Sequence, residues 1–337
     1  MGYLISLAIV MFVMIFVAIL GNSVVCYIVY QKPAMRSAIN LLLATLALAD
    51  LLSAILCMPF SFVTVIAQKW IFGNEVCLVN GILYAFLVTE ATFVLVTISI
   101  DRYLIIVRRR DTLTPQKARL YIGLSWAISF IAAIPPLFGW GKYGFKSGQM
   151  QCTLNFPSRT LGELTYGLVF FGGTFIVPLV IMGYCYFYIL KTVRRNSSRI
   201  QNHPPPPGSV LGTKMHRPGR MNIDYSFKTR AFTTILILFI VFVMTSLPYS
   251  ITRFVLLFSG QTKFSLSANA IIVWLFYLNS TLNPVIYYWR INKFREACID
   301  LMPSWCQIPN CLPGRTIRRI RPHAIYEVDK KIQVSAI

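Results

Sequence analysis

Apolar residues along this chain come in long uninterrupted runs, not in the alternation of a half-buried strand or the three-four spacing of a soluble helix. Gly2 to Gln31 contains no charged residue, and further runs reach the roughly 20 residues that carry a helix across a bilayer. The pattern predicts seven such helices, over residues 3–30, 38–66, 76–107, 118–140, 164–190, 229–258 and 266–289. Beyond the seventh, residues 291–302 set Ile291, Phe294, Ile299 and Leu301 among Lys293, Arg295, Glu296 and Asp300, an amphipathic stretch suited to the membrane interface. The expected fold class is an all-α membrane protein: a seven-transmembrane helix bundle with a short amphipathic interfacial helix after helix 7. Residues 1–302 make up this bundle domain, and 303–337 are expected to be a disordered basic tail. The longest connection, residues 196–222, carries Pro204 to Pro207 and has linker composition.

Composition agrees. Charged residues are 13% and hydrophobic residues 56% of the 337, against about 25% charge in a soluble domain. That excludes a soluble enzyme or binding module and intrinsic disorder. The first run is too long, and lacks the basic flank, to be a signal peptide; it is read as a retained helix. A net charge of +21 raises the question of nucleic acid, but the basic residues lie between the apolar runs, so no nucleic-acid partner is expected. Lys69, Lys142, Lys146, Arg159, Arg253 and Lys263 are all that one side of the membrane receives of the 32 Lys and Arg. By the positive-inside rule the N-terminus is outside and the C-terminus cytoplasmic, in a multi-pass protein of the plasma membrane surrounded by its lipids.

Ionisable residues within spans are costly and mark function. Here they are Asp50, Glu90, Asp101, Arg102 and Arg253. On its own, Asp101-Arg102 has the alternative reading of an interfacial ion pair with a snorkelling arginine. A transporter using Asp50 and Glu90 as a cation or proton path is a second class, disfavoured because no internal repeat is visible. An intramembrane enzyme is not expected: no paired intramembrane Asp, no Gly-x-Ser-x-Gly, and the three His lie in loops or tail.

The order of motifs decides among these. Helix 1 carries Gly21-Asn22, helix 2 Leu46-Ala47-Leu48-Ala49-Asp50, helix 3 ends on Asp101-Arg102-Tyr103, helix 4 has Trp126, helix 5 has Pro178 and Tyr186, and helix 7 has Asn283-Pro284-Val285-Ile286-Tyr287. The set resembles the rhodopsin-like (class A) G-protein-coupled receptors across all seven spans. Within that family, Val29 to Asn40, Phe227 to Phe239, Tyr288-Trp289-Arg290-Ile291 and Arg318 to Pro322 are similar to the orphan receptors named probable G-protein-coupled receptors forty-five and sixty-three.

The resemblance implies a receptor that activates a heterotrimeric G protein, with arrestin and receptor kinases as further partners. It assigns the coupling switch to Asp101, Arg102, Tyr103, Tyr186, Lys228, Asn283, Pro284 and Tyr287. Asn22, Asp50, Asn279, Ser280 and Asn283 form a mid-membrane polar seam that in the family can hold a sodium ion. Ala91 stands where the family usually offers a Ser, so the sodium site is incomplete, and a water-filled packing defect is the alternative; no other cofactor and no metal is implied. Cys77 and Cys152 match the family's outer disulfide. Cys298, Cys306 and Cys311 are candidates for palmitoylation, or free thiols on the reducing side.

The ligand pocket is expected near Tyr84, Thr89, Tyr249, Arg253, Trp274 and Tyr277. Tyr84 replaces the Asp that amine receptors use, and Tyr277 replaces the retinal-binding Lys of opsins. Related lysophospholipid receptors read a phosphate with an Arg-Glu pair where this chain has Asn80-Gly81. A lipid ligand therefore requires another cation, Arg253, whose alternative is again snorkelling. Glu90 is read as bonding a neighbouring helix. Two departures stand out: Thr245-Ser246-Leu247-Pro248 lacks the Trp of the usual Cys-Trp-x-Pro, and Lys228 replaces an acid that pairs with the helix 3 Arg. Like charges there imply a weakened inactive state and basal signalling.

Overall fold

The computed structural model describes residues 2–145, 150–155, 160–201, 219–259 and 266–301. Among them, seven helices are long and apolar enough to cross a membrane. We number them α1 (Gly2–Gln31), α2 (Ala38–Leu56, continued by Met58–Ala67), α3 (Gly73–Ile106), α4 (Pro115–Ala133), α5 (Leu161–Phe171, continued by Val177–Gln201), α6 (Gly219–Ser259) and α7 (Leu266–Arg290); α8 (Asn292–Leu301) follows. Two short antiparallel strands, β1 (Tyr143–Gly144) and β2 (Thr153–Leu154), form a hairpin between α4 and α5.

Proline chemistry explains where the helices depart from the predicted continuous runs. The second run breaks at Cys57, because Pro59 sits in the first turn of the next helical piece and its ring excludes the carbonyl four residues back. The fourth run, expected to reach residue 140, leaves α geometry at Ala133; Pro135 and Pro136 then open a 3-10 turn, Pro135–Phe138. Before Pro178, Gly172–Ile176 winds as a π turn, and the Val177 N–H donates five residues back to the Gly172 carbonyl.

Lipid tails are as apolar as leucine, so packing and internal hydrogen bonds hold such a bundle together. The α1–α7 contact illustrates both. A Cβ on Gly21 would lie 2.6 Å from the Pro284 ring, so only glycine allows this approach. Pro284 has no N–H for the Ser280 carbonyl, and the Asn22 side chain donates to that carbonyl instead, at 3.0 Å. A similar repair closes the break in α2: Asn80 of α3 donates to the Leu56 carbonyl at 3.2 Å.

Met1–Cys298 form one unit. Its interior holds an inner cluster around Leu46, Ile98, Ile189, Leu238 and Tyr287 and an outer one around Met11, Met58, Tyr84, Leu87 and Trp274. Phe294 of α8 packs edge-on against Tyr287, ring centres 6.2 Å apart. Residues 303–337, including Cys306 and Cys311, lie outside the described residues.

Candidate functional site

Three layers of buried polar groups run through the bundle. In the middle, Asp50 accepts from Ser280 Oγ at 2.6 Å and from Asn283 Nδ2 at 2.7 Å, so one carboxylate of α2 ties two turns of α7. Asn22 reaches the Ser280 backbone, not Asp50. Asn279, with a buried oxygen that has no partner, lines a cavity of about 20 Å³ with Asp50, Ser53 and Ser280, and Ala91 closes its α3 side. That volume holds about one water.

At the inner end of α3, Asp101 is buried and accepts hydrogen bonds from both Nε and Nη2 of the adjacent Arg102. Tyr186 of α5 crosses to α6. Its hydroxyl donates to the Ile235 carbonyl at 3.1 Å, its ring stacks on Phe239 at 4.5 Å, and Ser99 Oγ of α3 lies 3.2 Å from its oxygen. Tyr287 is buried with its hydroxyl lacking a partner, while Tyr103 is half-buried against Tyr184 and Tyr188 of α5 and accepts from Arg108 Nε at 3.2 Å. Asn283 and Pro284 thus belong to the middle layer and α7 packing, while Asp101, Arg102 and Tyr186 gather at the end of the bundle opposite the hairpin. Lys228 falls within α6, but its side chain lies outside the described residues.

Near the outer face the hairpin is drawn into the bundle by the Cys77–Cys152 disulfide, which joins α3 to the loop with Cα atoms 5.3 Å apart. Ser61 of α2 donates to the Met150 carbonyl at 3.1 Å. Between these anchors Gln151 points inward, 1% exposed: its oxygen accepts from Tyr277 Oη at 2.8 Å and its Nε2 lies 3.4 Å from Tyr249 Oη. The loop residue therefore bridges α6 and α7 across the expected pocket. Tyr143 of the same hairpin donates to the Ala133 carbonyl at 2.9 Å, and burial, aided by neighbouring Tyr166, pushes its phenol well above the usual range.

Beneath the loop lies a small cavity of about 60 Å³, walled mainly by aromatic and aliphatic side chains including Leu154, Phe170, Phe171, Phe242 and Phe276. Of the expected pocket residues, Tyr84 and Tyr249 line it. Arg253 sits one layer back, 4% exposed, its guanidinium 4.7 Å from the Tyr249 ring centre and its Nε without a partner. Tyr277 and Trp274 stand in the neighbouring aromatic cluster, ring centres 5.5 Å apart. Thr89 does not face the cavity; its hydroxyl donates to the Ala85 carbonyl of its own helix. Gln151 carries no signature that periodicity detects. Adjacency to Cys152 was the one available pointer.

Glu90, fully buried, accepts from Ser125 at 2.8 Å and Ser129 at 3.2 Å, both on α4. The alignment of Ser and Glu joins α3 to α4 away from the cavity.

Seven spans, a loop held over a cavity at one end by a disulfide, and an Asp101–Arg102 pair at the other are the features of a seven-helix bundle of receptor type. Comparison with known proteins agrees. The family described as 7 transmembrane receptor (rhodopsin family) matches residues 21–287. The high-affinity lysophosphatidic acid receptor of Xenopus laevis is 47% identical over 328 residues, covering 95% of this chain and 88% of that protein. Probable G-protein coupled receptor 63 of Homo sapiens is 44% identical over 330 residues, covering 96% and 78%. Squid rhodopsin, in its crystal structure, superposes with a TM-score of 0.76 at 22% identity over 92% of this chain and 89% of its own, which speaks for the fold. The chain belongs to the rhodopsin family of seven-transmembrane receptors: it is a class A G-protein-coupled receptor, not an enzyme.

Proposed function

We propose that this receptor answers an amphipathic, anionic lipid of lysophospholipid type by opening its inner mouth to a heterotrimeric G protein at the plasma membrane. The observation that carries the ligand class is Arg253, a buried cation standing on Tyr249, which itself walls an apolar cavity. An arginine fork suits a phosphate and the apolar walls suit a hydrocarbon tail. The lysophosphatidic acid receptor of Xenopus laevis, similar over nearly the whole chain, supports the same reading. At about 60 Å³ the cavity is well below the roughly 300 Å³ of a working ligand site, so binding requires the Gln151 bridge to yield.

The N-terminus is outside and the C-terminus cytoplasmic. Opening exchanges the Asp101–Arg102 pair and the Tyr186–Ile235 tie for contacts of Arg102 and Tyr186 with Tyr287 and an inserted partner helix. Lys228 in place of an acid removes the ion pair with Arg102 that the family pattern puts at this position of α6, favouring basal coupling. Asp50 and its partners relay between the two ends, with a water in the adjacent cavity. Arrestin and receptor kinases are further partners. Cys298 is the described candidate for acylation; burial pushes its thiol up, with Lys32 opposing.

The test is nucleotide exchange on a panel of purified G-protein subtypes, with and without lysophosphatidic acid, for the wild type, Arg102→Ala and Arg253→Ala. Exchange by the wild type that Arg102→Ala abolishes supports coupling, and a lipid response that Arg253→Ala alone removes supports the ligand. A lipid response unchanged by Arg253→Ala contradicts the head-group assignment.

A further inference from the structure

A second concavity, wider than the outer cavity, is a groove of about 440 Å³ between α3 and α4, at the level of Asp101. Phe93, Val96, Ile100, Leu104, Leu124 and Ile128 form its apolar walls. Leu124 and Ile128 are about half exposed on a membrane-spanning helix, so the groove opens toward lipid, where an apolar groove takes up hydrocarbon. Its inner floor is polar, made by Asp101 and Ser125.

At one end the groove runs up to Thr112 and Leu113, the connection between α3 and α4. This connection is basic: Arg108, Arg109, Arg110, Lys117 and Arg119 are all exposed, against the single acid Asp111, and Lys117, one turn before Tyr121 of the groove wall, lies on the groove face of α4. Thr114 caps α4 by accepting from the Lys117 N–H at 3.3 Å, which fixes the first turn, and with it Lys117, beside Leu113. A ligand with a hydrocarbon chain and a negatively charged head therefore meets apolar walls and basic side chains in the right order along one path.

We infer that the α3–α4 groove is a binding site for an anionic phospholipid of the surrounding leaflet, its acyl chain lying along Ile100, Leu124 and Ile128 and its phosphate at Lys117. The assignment of that leaflet as cytoplasmic rests on the orientation proposed above; the site itself does not depend on G-protein coupling. An occupying chain keeps water from the wall that Asp101 contributes, and a drier surrounding strengthens the Asp101–Arg102 attraction. The bound lipid thus favours the closed inner mouth.

Photo-crosslinking tests this on the full chain in nanodiscs of phosphatidylcholine doped with phosphatidylserine carrying a diazirine on its acyl chain, with labelled peptides read by mass spectrometry. The expected result is labelling of residues 93–104 and 121–128 in excess of the equally lipid-facing stretch 5–16 of α1. Leu124→Trp and, independently, Ile128→Trp fill the groove and remove the excess; both sites face lipid, and either suffices if the other fails to fold. The same probe on phosphatidylcholine labels the groove less, and Lys117→Gln reduces the preference for the anionic head about fivefold, whereas Arg119→Gln, on the opposite face of α4, leaves it unchanged. Uniform labelling of all lipid-facing helices, or an excess that survives groove filling, overturns the site. Equal groove labelling by the two head groups overturns its anionic character.

Discussion

The hydroxyl of Tyr186 donates to the backbone carbonyl of Ile235 at 3.1 Å, tying α5 to α6 at the level where Arg102 is held by Asp101. One bond joins two helices and the other restrains a charge, so the closed inner mouth depends on a few exchangeable contacts. Each is worth only about 0.5–3 kcal/mol, a scale that ligand binding overcomes.

Asp101→Asn removes the charge of that pair and frees Arg102. A loss of about 1–2 kcal/mol from the closed arrangement raises ligand-independent nucleotide exchange roughly five- to thirtyfold, measured on purified receptor and G protein at matched amounts. Unchanged exchange would show that the pair does not restrain the switch.

Lys228→Glu restores an acid at the start of α6, where it faces the Arg102 side of the mouth in the family pattern. Basal second-messenger output is expected to fall in cells at matched surface expression, while Lys228→Gln falls less.

Gln151→Ala leaves the buried Tyr277 hydroxyl without its acceptor, a cost of about 1–3 kcal/mol, and releases the bridge over the cavity. Faster hydrogen exchange in residues 150–155, with a quicker response to lysophosphatidic acid, is the expected pair of results. Reducing Cys77–Cys152 loosens the same loop more strongly and lowers the thermal midpoint, since losing a native disulfide costs roughly 2–5 kcal/mol of stability.

Gly21→Ala drives a methyl into the Pro284 ring, 2.6 Å from the new Cβ, and overpacking of this kind costs about 1–3 kcal/mol. Gly123→Ala meets nothing within 4 Å and is the matched control. A thermal-shift assay should show a lower midpoint for the first only.

The sequence made the bundle legible because span length and the placement of Lys and Arg are set by the bilayer itself. Asp50, Ser280 and Asn283 were legible as a seam because a lone mid-membrane carboxylate needs donors, and the structure brings these three together. The breaks at Cys57 and Ala133 were missed although Pro59, Pro135 and Pro136 signal them: hydropathy averages over a window and does not register a missing N–H. Asn80 was weighed for its place near a head group, whereas its amide repairs the carbonyl freed at Leu56. Gln151 was invisible because a loop side chain has no period; its direction follows from the disulfide and the Ser61 bond. Thr89 shows the converse error, since correct depth along α3 does not fix which face a residue occupies.

The most direct test of the central claim is the distance between spin labels on the inner ends of α4 and α6, Arg119→Cys and Thr229→Cys, in a background without other accessible cysteines. Two distance populations are predicted, with the longer one growing when nucleotide-free G protein is added and vanishing in Arg102→Ala. A single distance that G protein leaves unchanged would contradict a receptor that works by opening its inner mouth.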